Sequence, residues 1–169
     1  MKIERIKLDA LTCDPANARK HDQRNLDAIK GSLQRFGQQH PIIVDAAGVI
    51  RVGNGRYIAM RALGWSECDI VRSNLKGSEA TAFAIADNRT AELAGWDDEA
   101  LAQQLAALQI EDEALALSTG FDDADLRALT EAYGKAEQKL ESSAKEIDVD
   151  GFSMQCKCPR CGFEFDPKT

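Results

Sequence analysis

Two short stretches of this sequence hold residues whose types and spacing could do chemistry. In VGNGRYIAMRALG, Gly53, Asn54 and Gly55 stand where a β-branched run gives way to helical spacing, and Arg56 follows them. The first N–H groups of a helix lack intrahelical partners and carry partial positive charge, so a turn of small residues lets an anion approach them. Arg56 adds a forked, permanently charged donor in the first turn. A Gly-x-Gly turn before a helix is more often only a turn, so an anion site needs further residues from other loops. The second stretch is Cys158-Pro159-Arg160-Cys161-Gly162. This is the turn in which two thiolates and nearby N–H groups converge on zinc, and Cys156 is a third candidate ligand. Zinc takes four ligands, yet no histidine follows His40 and there is no second Cys-x-x-Cys. The set would be completed by Cys13, Cys68, a carboxylate such as Asp166, or a second chain. A redox pair is the competing reading, but such pairs sit at a helix start, which this stretch lacks.

The elements that must position these residues follow from periodicity. KIERIKL predicts a short opening strand with Ile6 and Leu8 on one face. Leu26, Ile29, Leu33 and Phe36 recur at helical steps, with Asp22 as N-cap and Gly37 as stop. Pro41–Val44 and Val49–Val52 read as a hairpin across Asp45-Ala-Ala-Gly48, Tyr57, Met60 and Leu63 as a helix, and Cys68–Val71 as another strand. Beyond Lys76 the pattern is helical, with Ser78, Asp97 and Asp122 as caps and the first of these helices running through Asp87. The expected organisation is a core over 1–76, a helical extension over 77–134, a linker over 135–150 and a cysteine-rich tail over 151–169.

Composition bounds the function. Hydrophobic residues make up 44% of 169 and are organised into faces, so the chain can bury a core. No stretch has the length of a membrane span and MKIERIKLDA has no signal-peptide character, which places the expected protein in the cytoplasm. Five cysteines, three of them within a few residues, suit metal ligation in a reducing compartment, while Cys13 and Cys68 read as small buried hydrophobes. The net charge of −7 hides a split: residues 1–76 carry 13 Lys and Arg against 8 Asp and Glu, and residues 77–169 carry 8 against 20. A basic first half can face phosphate, and the acidic half must point elsewhere or find basic partners.

NARKH, FGQQHPIIVD and VGNGRYIAMRALGW, in that order and at those intervals, resemble the three boxes of the ParB N-terminal domain, whose fold is shared with sulfiredoxin. IADNRTAELAGWDDEALAQQLAAL is similar to the variant of that domain found in phages and mobile elements, often fused to or encoded near DNA methyltransferases. The resemblance spans about residues 1–133. It implies an α/β (α+β) fold, a small mixed sheet with helices, in which the boxes meet around a nucleoside triphosphate, CTP or ATP, with Mg²⁺. By position it implies binding roles for Arg19 in the first box, for Gln38 and Pro41 in the second, and for Gly53, Asn54, Gly55 and Arg56 in the third. The third box departs from the Gly-Glu-Arg-Arg of CTP-hydrolysing ParB proteins. Asn54 replaces the acid, a poorer Mg²⁺ ligand, and Gly55 replaces the first arginine. Sulfiredoxin reads Gly-Gly-Cys-His-Arg there, and Asn54 stands where its nucleophilic cysteine would, so sulfinic-acid repair is excluded.

The expected function is a nucleotide-binding, DNA-associated regulatory or accessory module of a phage or mobile-element DNA modification system. Its expected partners are DNA, held weakly and without sequence preference, a DNA methyltransferase or other modification protein, and a second copy of the chain. The alternative is a weak NTPase, DNase or small-molecule kinase of the same fold, with His21 or Asp22 as a kinase base. No carboxylate cluster of the kind two-metal cleavage needs is evident, and no basic recognition helix follows Lys76.

Overall fold

The structure is a computed structural model that describes residues 1–129, 131 and 156–165. Residues Met1–Tyr133 form one unit and Gly134–Thr169 a second. The expected linker over 135–150 lies outside the described residues.

Five strands build the sheet of the first unit: β1 (Ile3–Lys7), β2 (Thr12–Cys13), β3 (Ile42–Val44), β4 (Val49–Val52) and β5 (Glu67–Arg72), in the order β1-β5-β3-β4-β2. β1 runs antiparallel to β5 and β3 antiparallel to β4, whereas β5 with β3 and β2 with β4 are parallel. The sheet is therefore mixed, as expected. β2 was not legible in the sequence, because two residues are too short for a period-two signal; it aligns Thr12 with Val49 and carries the first-box loop to the end of β4.

Helix α1 (Gln23–Phe36) starts where Asp22 accepts the N–H of Asn25 at 2.8 Å and stops at Gly37, whose φ of +69° suits glycine. Leu33 is buried, but Phe36 at the end of the expected stripe is exposed. Helix α2 (Asn54–Ala62) follows β4 directly through Gly53, at φ +100°, and buries Ala59 and Met60. The core joins Leu8, Leu11, Leu33, Ile42, Val44, Ile50, Met60, Cys68 and Ile70. Cys68 is thus a buried apolar residue.

The helical extension opens with α3 (Gly77–Leu93), which starts one residue before Ser78 and runs past Asp87. It is followed by α4 (Asp98–Glu111), capped by Asp97, α5 (Glu113–Leu117), capped by Asp112, and a helical turn sequence over 123–129, where Asp122 accepts two N–H groups. Four acids of the helical extension point back at arginines of the basic half. Arg24 meets Asp125 at 2.6 Å and Asp122 at 3.1 Å, Arg35 meets Asp112 at 2.7 Å, and Arg19 pairs with Glu92. The charge split expected to separate two surfaces is in part an internal pairing.

The second unit contains a hairpin of β6 (Cys156–Lys157) and β7 (Glu164–Phe165). Among the described residues no helix is long and apolar enough to cross a membrane.

Candidate anion-binding site

The β4–α2 turn is built for close approach. A Cβ on Gly53 would lie 3.2 Å from Nη2 of Arg56, so the Arg56 side chain folds back across its own turn. Among the described residues its buried Nε has no hydrogen-bond partner, and burial pulls the guanidinium below its ordinary pKa while Asp87 opposes that shift. A buried guanidinium N–H left unpaired is costly, and an anionic ligand at this turn would relieve it. Gly53, Asn54, Gly55 and Arg56 line a cavity of ≈ 150 Å³ together with Arg19 and His21 from the first-box loop and Asp87 and Asn88 from α3. A neighbouring, less polar cavity of ≈ 300 Å³ shares Asn17, Arg19, Arg51 and Asn88 and extends along α3 past Ala84 and Ile85.

Arg19 is brought to the site as expected, but it is held by Glu92. Asn17 shapes the loop, accepting the Arg19 N–H and donating to the Arg19 carbonyl. Asn54 lines the cavity, although its side chain is buried and turned inward, accepting from the Asp14 N–H at 3.3 Å and donating to the Ile50 carbonyl at 3.4 Å. Its carboxamide is a tie between β4 and the first-box loop, which leaves its backbone to the site.

Gln38 and Pro41 line neither cavity. Gln38 spends its carboxamide on β5, accepting the Asp69 N–H and donating to the Asp69 carbonyl, both at 2.7 Å. It completes a strand edge and stands apart from the cavities. Asp22 caps α1 through Oδ1 and lies beside His21 at the mouth of an adjoining cavity.

Asp87 and Asn88 were missed by reading the sequence. Their signal was an acid and an amide adjacent after the apolar run Ala82-Phe83-Ala84-Ile85-Ala86, but nothing local shows which loop that face of α3 meets. Arg51 was missed too. It lies between Asp14, at 2.6 Å, and Asp45, at 2.7 Å, and lines both cavities.

In the hairpin, the Cys158 N–H donates to the Phe163 carbonyl at 2.8 Å and the Gly162 N–H to the Cys158 carbonyl at 2.9 Å, with Gly162 at φ +76°. The backbone N–H groups of Arg160 and Cys161, with the Cys161 thiol, pull the Cys158 thiol below its ordinary pKa. Among the described residues no three His, Cys, Asp or Glu side chains gather as a metal site, so Cys156 does not join Cys158 and Cys161. Cys156 opens β6 opposite Phe165 and lies outside the turn.

No protein-family model matches the sequence, and no curated protein matches it. Among solved structures, a C-terminally truncated chromosome-partitioning protein ParB from Caulobacter crescentus, complexed with CTP-γ-S, is similar at a TM-score of 0.68 and 17% identity, over 84% of this chain and 86% of that one. The same protein complexed to its centromeric parS site matches at 0.44 and 18%, over 82% and 78%. Sulfiredoxin from Arabidopsis thaliana matches at 0.41 and 22%, over 50% of this chain and 98% of its own. Element order, mixed sheet and the likeness to the CTP-γ-S complex together show that this chain has the mixed α/β fold of that ParB structure.

Proposed function

We propose that the Met1–Tyr133 unit binds a nucleoside triphosphate at the β4–α2 turn and acts as a DNA-associated regulatory or accessory module, in a phage or mobile-element DNA modification system. The observation that carries this is the convergence of Arg19, Arg56 with its unpaired buried Nε, and the N-terminus of α2 on one cavity. The structure of this fold solved with CTP-γ-S supports a nucleotide as the anion. The polar cavity suits the phosphates, and the larger apolar one beside it suits base and sugar. Asp87, with Asn88 and Asn17, would offer oxygen ligands to Mg²⁺ from the cavity lining, and the ion would supply neutralisation of the phosphate charge. With Asn54 turned inward, the turn itself presents no carboxylate, which favours binding over hydrolysis.

The DNA part of the reading rests on the boxes and on the basic first half. Arg24, Arg35 and Arg19 are already paired within the chain, so direct contact with duplex DNA is weak, and association through a methyltransferase or a second copy of this chain supplements it in the cytoplasm. For the tail, the Cys158–Cys161 turn supports a zinc half-site, its remaining ligands coming from outside the described residues or from another chain.

Calorimetric titration of the four ribonucleoside triphosphates with Mg²⁺ tests the reading. One or more binding in the micromolar range supports it; none binding at millimolar concentration overturns it.

A further inference from the structure

We propose that His21 is a phosphate-contacting residue of this site and that position 55 is glycine in order to seat its imidazole. The inference rests on the nucleotide reading above and deepens it.

Gly55 lies in the first turn of α2 with ordinary helical backbone, so no positive φ calls for glycine, and glycine weakens a helix relative to alanine. The reason is steric. A Cβ at position 55 would stand 2.7 Å from Cε1, 2.9 Å from Nδ1 and 3.0 Å from Nε2 of His21. The ring lies flat against the backbone at the helix N-terminus, where alanine would expel it.

The ring is also held from its other side. Nδ1 is 2.7 Å from Oδ1 of Asn25, one turn into α1. That contact occupies Nδ1 and leaves Nε2 as the ring nitrogen that meets a phosphate oxygen. His21 lines the cavity of the β4–α2 turn and the adjoining one with Asn25 and Asn88. The same cavities are lined by Arg19, Lys20 and Asp22 from its own segment, Arg51 from β4, Arg56 from α2 and Asp87 from α3, so His21 stands where three arginines already converge on an anion.

The test is a double-mutant cycle on the full chain, with CTP and Mg²⁺ as the probe and titration calorimetry as the readout, thermal unfolding confirming that each variant folds. His21→Ala is expected to weaken CTP by roughly tenfold or more. Gly55→Ala weakens it similarly in the wild-type background and has no further effect in the His21→Ala background, because the ring it displaces is gone. Wild-type binding with unchanged affinity in His21→Ala overturns this inference alone. So does a loss in Gly55→Ala that persists without the histidine, since the glycine would then serve phosphate approach. Absence of binding in the wild type takes down the nucleotide reading and this inference with it.

Discussion

The guanidinium of Arg19 is paired with the carboxylate of Glu92, 73 residues further along the chain, and the pair ties the first-box loop to α3. Glu92 also meets Arg89 at 3.2 Å. A triphosphate that recruits Arg19 must compete with this carboxylate. Glu92→Gln is therefore expected to strengthen nucleotide affinity by up to about fivefold, the scale of an exposed ion pair. Titration of CTP against the variant checks this, and weaker binding would show that Glu92 assists the site.

Arg51 joins three segments through Asp14 and Asp45, with all three side chains largely covered. Burial pushes the Asp45 carboxyl up, but the Val49 N–H, Arg51 and the Ala47 N–H outweigh it and hold the group below the ordinary carboxylate range. A carboxyl depressed on folding stabilises the native state above its unfolded pKa, and that contribution fades as pH falls through the folded value. Arg51→Met is expected to cost roughly 2 kcal/mol at neutral pH. The difference from wild type narrows on acidification. Denaturant unfolding across the acid range measures both; a difference independent of pH would mean that packing of the arginine stem is what was lost.

Thiol reactivity separates the cysteines. Backbone N–H groups lower the Cys158 thiol, whereas burial raises Cys13, and burial with Asp69 raises Cys68. On raising the pH, alkylation should reach Cys158 before Cys13 and Cys68, as read by mass spectrometry of digests. Zinc added beforehand should protect Cys158 and Cys161 together. Alkylation of Cys158 at an unchanged rate in zinc would argue against the half-site.

The sequence showed the fold where local rules agree with tertiary structure. Asp22 and Gly37 bound α1 because a side-chain cap and a left-handed stop are local events, and Gly53 opens α2 for the same reason. Of the residues expected at the site, those of the β4–α2 turn and Arg19 line the cavity. Gln38 and Pro41 were placed at the site by the resemblance alone; neither lines the two cavities, and a polar loop residue carries no mark of the strand it will meet, for Gln38 the Asp69 backbone. Asp87 and Asn88 reach the cavity through the packing of α3 against β4. That packing is a long-range contact, and α3 extends past the boundary its own composition suggested. The pairing of Arg24 and Arg35 with acids far along the chain was hidden for the same reason.

The central claim is that Arg56, with its buried and unpaired Nε, is the cation around which the anion site is built. The most direct measurement is calorimetric titration of CTP with Mg²⁺ into the wild type, Arg56→Ala and Arg19→Ala. Arg56→Ala is expected to lose roughly 1.5 to 3 kcal/mol of binding, and Arg19→Ala less, because Arg19 must first leave Glu92. Equal affinity of wild type and Arg56→Ala would contradict the account.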